Sequence, residues 1–159
     1  AMTGVPPISP PRSWAGRRGG VWRGGLAYLL PAVTQGREPV FRHFALARAA
    51  IAALRACDEA GEAETLAFVL MPDHLHWLVT LRGQPLDAVM RRFKSVSGRA
   101  VNRLRGVTGA PLWQAGFHDH ALRADRDLRA AARYLVGNPV RAGLVASVMD
   151  YPHWDAVWL

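Results

Sequence analysis

His74 and His76 stand two residues apart in the run Leu70-Met71-Pro72-Asp73-His74-Leu75-His76-Trp77-Leu78-Val79. Alternate side chains of a β-strand share a face, so both imidazoles point with Leu78, while Leu75, Trp77, Val79 and Leu81 point toward a core. Two imidazoles fixed on a rigid strand can hold one metal ion. The same spacing also describes two half-exposed strand histidines with no ligand. Further along, Tyr134 and Asn138 lie four residues apart, on one face of a helix. A phenol oxygen can attack a phosphodiester when a cation neutralises the developing charge, and Asn138 offers a neutral oxygen as a third ligand. The structural alternative is a tyrosine packing its ring at a boundary and an asparagine closing a helix before Pro139. His118 and His120 form a rival pair, but Asp119 between them would be forced toward the opposite face, where Leu75 fits without cost. His74 and His76 are therefore the preferred ligands, with His118 and His120 behind them.

The whole chain sets the bounds on these readings. At 159 residues it is one domain with room for a hydrophobic core, and half its residues are hydrophobic. No apolar run approaches the ~18 residues that span a bilayer. No signal-peptide core opens the chain, so the cytoplasm is the default expectation. Cys57 is alone, which excludes an internal disulfide and a cysteine-built zinc site. A net charge of +8 and a pI near 11.1 point to a polyanionic partner, most often nucleic acid.

Positioning elements follow from periodicity. Residues 1–24 are a basic leader rich in Pro, Gly and Arg, with Arg17, Arg18 and Arg23 and no acidic residue before Glu38. Too little of it is apolar to offset ordering entropy, so it is expected to be flexible when free, and a basic arm of this kind can settle on phosphates. A catalytic domain would then occupy residues 25–159. A first strand is expected over 26–33, a helix over 40–56 with Phe44, Ala47, Ile51 and Leu54 inward, and a buried strand over 66–71. The histidine strand covers 74–81. Pro85 opens a second helix whose stripe is Leu86, Val89, Met90, Phe93, Ser97, Ala100, Val101 and Leu104. On its other side Arg91, Arg92, Arg99 and Arg103 form a face with no acidic partner of its own, which is weighed toward phosphate contact. A fourth strand is expected over 113–122. A third helix over 125–138 should end there, because Pro139 disfavours helical geometry in the residue before it. Residues 142–159, with Tyr151, His153, Trp154 and Trp158, should pack back on the domain. The order gives an α+β, ferredoxin-like βαββαβ antiparallel sheet, plus a C-terminal helix carrying the candidate nucleophile.

Met71-Pro72-Asp73-His74-Leu75-His76, then Lys94, Trp113-Gln114, residues 117–123, and Tyr134 with Gly137, Asn138, Pro139, Arg141 and Gly143 together resemble the single-tyrosine HUH transposases. Within them the chain is most similar to the REP-associated tyrosine transposases of bacteria. The resemblance runs from about Gly25 to Trp158. It implies a divalent metal, Mg²⁺ or Mn²⁺, on His74, His76 and Asn138, where imidazole donors alone would favour a softer ion. It also implies that Tyr134 attacks single-stranded DNA near a hairpin, leaving a 5′-phosphotyrosine and a free 3′-hydroxyl. Two other readings use the same fold: a structured-DNA binder without chemistry, and an RNA-binding protein. RNA binders of this architecture usually stack bases on aromatic residues of the sheet, where this chain has His74, His76 and Leu78.

Overall fold

The computed structural model describes residues 27–116, 120–122 and 125–158. The expectations for Arg17, Arg18, Arg23 and His118 fall outside those residues. The described elements are β1 (Ala27–Val33), α1 (Phe44–Glu59), β2 (Ala63–Met71), β3 (His74–Leu81), α2 (Leu86–Arg105), β4 (His120–Leu122), α3 (Asp125–Val136), α4 (Asn138–Arg141) and β5 (Trp154–Ala156). The strands form one sheet in the order β4-β1-β3-β2-β5, antiparallel at every joint. β1 and β3 lie side by side, as a ferredoxin-like arrangement requires. β5 is an addition on the far side of β2, made by the tail that was expected only to pack back.

Period-two alternation divides the sheet into two cores. Leu30, Ala32, Phe68, Leu70, Leu75, Trp77 and Val79 meet α1 and α2 on one face. Ala27, Leu29, Ala67, Val69 and Leu78 meet Leu128, Ala131, Ala132 and Leu135 of α3 on the other. β2 and β3 are therefore covered on both sides, which explains their continuous apolar runs. Trp77 is fully buried, and its Nε1–H donates to Thr65 Oγ1 at 2.9 Å. Truncating such a side chain to alanine costs about 3–5 kcal/mol. Pro31 gives β1 no ladder donor, and β4 pairs only as far as Leu29.

Four expectations need correction. Residues Val40–Arg42 form a separate 3-10 turn, so α1 starts at Phe44 and its stripe shifts to Leu46, Ala47, Ala50, Ile51 and Leu54. Phe41 takes the core position and Phe44 is left 62% exposed. Leu104 is 59% exposed, because α2 ends at Gly106 in left-handed geometry (φ 71°) and its last turn overhangs the core. The fourth strand is not continuous: Trp113 makes an isolated bridge to Thr34, Gly116 turns the chain at φ 75°, and the described ladder with β1 covers His120–Leu122. The third helix stops at Val136, and Gly137 leads into a second short helix carrying Pro139 in its first turn. Proline has no N–H to give and suits a first turn, so it starts α4 where it was expected to stop α3. Tyr134 and Asn138 thus belong to two helices joined at Gly137.

α2 also anchors the irregular segment after it. Trp113 Nε1–H donates to Ser97 Oγ, Lys94 Nζ to the Gln114 carbonyl, and Asn102 Nδ2 to the Ala110 carbonyl.

Candidate active site

The two-residue turn at Pro72-Asp73 pairs Met71 with His74 and aims both histidines of β3 at the α3 side of the sheet. The rings are buried, 6% and 5% exposed, and lie edge to face with centroids 4.9 Å apart. They are not the half-exposed pair that spacing also allowed. Asp73 Oδ1 accepts from His74 Nδ1–H at 2.7 Å, and Asp73 Oδ2 accepts from Arg37 Nε at 3.2 Å. A carboxylate on Nδ1 fixes the proton there and leaves the Nε2 lone pair bare. Nε2 of His74 and of His76 are both buried without a partner.

Burial lowers the His74 pKa below its usual range, with Asp73 acting in the opposite sense. Burial, then the neighbouring His74, then Arg141 lower His76 further, to about 3. Both rings are neutral near pH 7, as metal ligation needs. Unsatisfied buried donors or acceptors cost stability, and a divalent cation would satisfy both lone pairs at once. Among the described residues no three His, Cys, Asp or Glu side chains gather as a metal cluster. Any third protein ligand must come from another residue type.

Asn138 is such a residue. It is 3% exposed, its Nδ2 is unpartnered, and its Oδ1 accepts from Arg141 Nη2. The same Nη2 donates to the Tyr134 carbonyl, and the guanidinium carbon lies 3.8 Å from the centroid of the Tyr134 ring. Tyr134 is 41% exposed. A cleft of about 710 Å³ is lined by His74, Tyr134, Asn138 and Arg141, with Arg37 and Arg42 at its wall. Strand histidine, helix tyrosine and asparagine therefore share one basic cavity.

Other expected residues lie elsewhere. α2 packs on the opposite face of the sheet, so exposed Arg91, Arg92, Arg99 and Arg103 are remote from the histidines. Two of them do have acidic partners: Arg91 pairs with Asp87 at 3.2 Å, and Arg92 with Glu62 at 3.1 Å. The first partner sits four residues back on the same helix, and the second comes from the loop before β2. His120 starts β4 opposite Leu29. Asp73, Arg37 and Arg141 received no role from sequence. Arg141 stands seven residues beyond Tyr134 but across the break at Gly137, so helical spacing alone does not bring it there. Arg37 reaches Asp73 across 36 positions, with no local signal.

Comparisons with known proteins point to one family. A family model described as "Transposase IS200 like" matches residues 25–137. A Haemophilus influenzae protein assigned to the REP-associated tyrosine transposases is 32% identical over 100 residues, 57% of this chain and 57% of that protein. The Escherichia coli REP-associated tyrosine transposase is 32% identical over 89 residues, 56% of this chain and 52% of that protein. The chain thus spans about half the length of the curated relatives it matches. A solved structure of a REP-associated tyrosine transposase bound to a REP hairpin is 26% identical, with a TM-score of 0.60 over 83% of this chain and 76% of that one.

Proposed function

Since the chain belongs to the IS200-like transposase family, we propose that it nicks and rejoins single-stranded DNA at REP-like hairpins. Tyr134 is the nucleophile, and His74, His76 and Asn138 hold a divalent cation, Mg²⁺ or Mn²⁺. The observation that carries this reading is the pair of bare, buried Nε2 atoms on the sheet below the cleft that Tyr134 and Asn138 line. The hairpin substrate rests on the relative that is bound to one.

Tyr134 Oη forms a bond to phosphorus as the bond from phosphorus to the 3′ oxygen breaks. The phenol proton leaves, the released 3′ oxygen takes one up, and the 5′ end stays linked to the tyrosine. The link stores the energy of the broken bond, so attack by another 3′-hydroxyl rejoins the strand without a nucleotide cofactor. Bound at the imidazoles, the cation would polarise a phosphate oxygen and offset the developing charge. Asp73 holds His74 in the ligating tautomer, and Arg37 holds Asp73. His118 and His120 are candidates for a supporting role beside the metal or the DNA.

Arg91, Arg92, Arg99 and Arg103 would carry DNA away from the cleft, since their helix is across the sheet, and Arg17, Arg18 and Arg23 would add phosphate contacts from the leader. Replacing any one arginine that grips a phosphate should make the slope of log affinity against log salt shallower by ~0.9. Arg91 and Arg92, already paired, should contribute less than Arg99 and Arg103. No helix among the described residues is long and apolar enough to cross a membrane.

The test is incubation with a labelled hairpin-bearing strand and Mn²⁺, followed by a denaturing gel. A covalent adduct that Tyr134→Phe removes, with hairpin binding retained, is expected. Hairpin binding without any adduct from the parent would favour a DNA-binding protein with no chemistry.

A further inference from the structure

Arg141 holds the oxygen that the proposed cation needs. Its Nη2 donates to Asn138 Oδ1 and to the Tyr134 carbonyl, and its guanidinium covers the Tyr134 ring. Among the described residues no carboxylate pairs with it, whereas Arg37, Arg55, Arg82, Arg91, Arg92 and Arg105 each have one. Among the described residues its charge is therefore met only by neutral oxygens and a π face. Asn138 is buried with Nδ2 unpartnered, so the one engaged polar atom of its side chain is the oxygen that Arg141 occupies. Two cations on one buried amide oxygen repel, because the medium around them screens poorly.

We infer that Arg141 couples cation binding to DNA binding: it competes with the divalent cation for Asn138 Oδ1 until a DNA phosphate draws the guanidinium away. A phosphodiester is a charge-assisted, bidentate acceptor and so a better partner than two neutral oxygens. Moving to it frees Oδ1 and removes the repulsion. Each ligand then strengthens the other by the same factor. This inference rests on the reading of the cleft given above.

Gly137 supplies a way to displace the guanidinium without deleting it. A Cβ there would come within 2.7 Å of Arg141 Nη1. Gly137 has φ −77° and ψ −7°, ordinary helical geometry that alanine adopts readily. The atom that must give way is the far end of a flexible side chain, so Gly137→Ala should fold and push Arg141 aside.

The experiment is calorimetric titration of Mn²⁺ into the full chain, with and without a short DNA single strand, in a Tyr134→Phe background so that nothing is cut. In that parent, DNA should tighten Mn²⁺ binding about fivefold or more. Adding Arg141→Gln or Gly137→Ala should tighten Mn²⁺ binding several-fold without DNA, and DNA should then add little. If neither variant binds Mn²⁺ more tightly than the parent, Arg141 does not compete and the inference falls. His76→Ala should abolish Mn²⁺ binding. If binding survives that change, the metal reading of the cleft fails first and takes the inference with it.

Discussion

Two places in this molecule set a tyrosine near histidine, and they differ in what is left free. Tyr151 is buried, its hydroxyl donates to the Leu70 carbonyl, and its ring meets His153 edge-on at 5.7 Å. Burial pushes that phenol up to about 12. Phe44 covers His153 from another side, with ring centroids 5.4 Å apart. Tyr134 instead lines an arginine-walled cleft together with His74, whose ring is aligned by a carboxylate. His153 Nδ1 is as bare as the Nε2 atoms of the other pair, yet among the described residues neither a carboxylate nor a second imidazole is set against it. A hydroxyl already engaged in an apolar setting makes a rivet. An oriented ring, open lone pairs and uncompensated charge around a cavity make a place for phosphate chemistry.

Removing the two hydroxyls separates the roles of these tyrosines most strongly. Tyr134→Phe should lower adduct yield by about 10³-fold or more on a denaturing gel, because no nucleophile remains. A variant that still forms adduct would remove Tyr134 from the chemistry. His76→Gln should cost on the order of 10² in the Mn²⁺-dependent nicking rate. His153→Gln should leave that rate close to the parent's, and an equal loss would erase the distinction. Asp73→Asn should weaken Mn²⁺ affinity about tenfold by calorimetry, since His74 would lose the carboxylate that orients it.

Acid stability sharpens the same contrast. A histidine with a folded pKa below 6.5 is protonated first in the unfolded chain, so it contributes stability above pH 6.5 that is lost as pH falls. Urea midpoints measured in chelator should decline from about pH 6.5 toward about pH 3, the window set by His76. His76→Gln should flatten that decline more than His153→Gln does. The smallest effect is expected for Tyr151→Phe, which should lower unfolding free energy by about 1 kcal/mol while leaving adduct formation intact.

Much of this arrangement could be read from local pattern. β3 matches its expected bounds because the Pro72-Asp73 turn and the period-two alternation fix both its start and its register. The core of α2 follows Val89, Met90, Phe93, Ser97 and Val101, as helical spacing demands. What local pattern missed was set by distant contacts or by backbone choices with near-equal alternatives. Phe41 and Phe44 are three residues apart, and only the 3-10 turn decides which one is buried. Gly137-Asn138-Pro139 can end a helix or start one, and packing chose both. Arg92 finds Glu62 from another element, so no helical-wheel argument could have neutralised it. β5 pairs with β2 through only Trp154, Asp155 and Ala156, too short a run to stand out in sequence. At the candidate site, type and spacing offer His74, His76, Tyr134 and Asn138 only as candidates beside ordinary structural readings, and the family resemblance is what joins them; nothing in the local pattern sets the guanidinium of Arg141 among them.

The two cores also differ in how strongly they grip. α1 and α2 are fastened by Phe41, Trp77, Phe93 and Trp113, whose rings interlock at centroid distances of 5.4–5.6 Å. α3 is held by Leu128, Ala131, Ala132, Leu135 and Val136, two of them alanines that withdraw little surface from water. The helix bearing Tyr134 thus buries no aromatic ring of its own, and pulling it off would bare Val69 and Leu78 of the sheet before it touched the aromatic side. Should a covalent tether to DNA ever be pulled, this seam is where the protein would yield, sparing the sheet that carries the imidazoles.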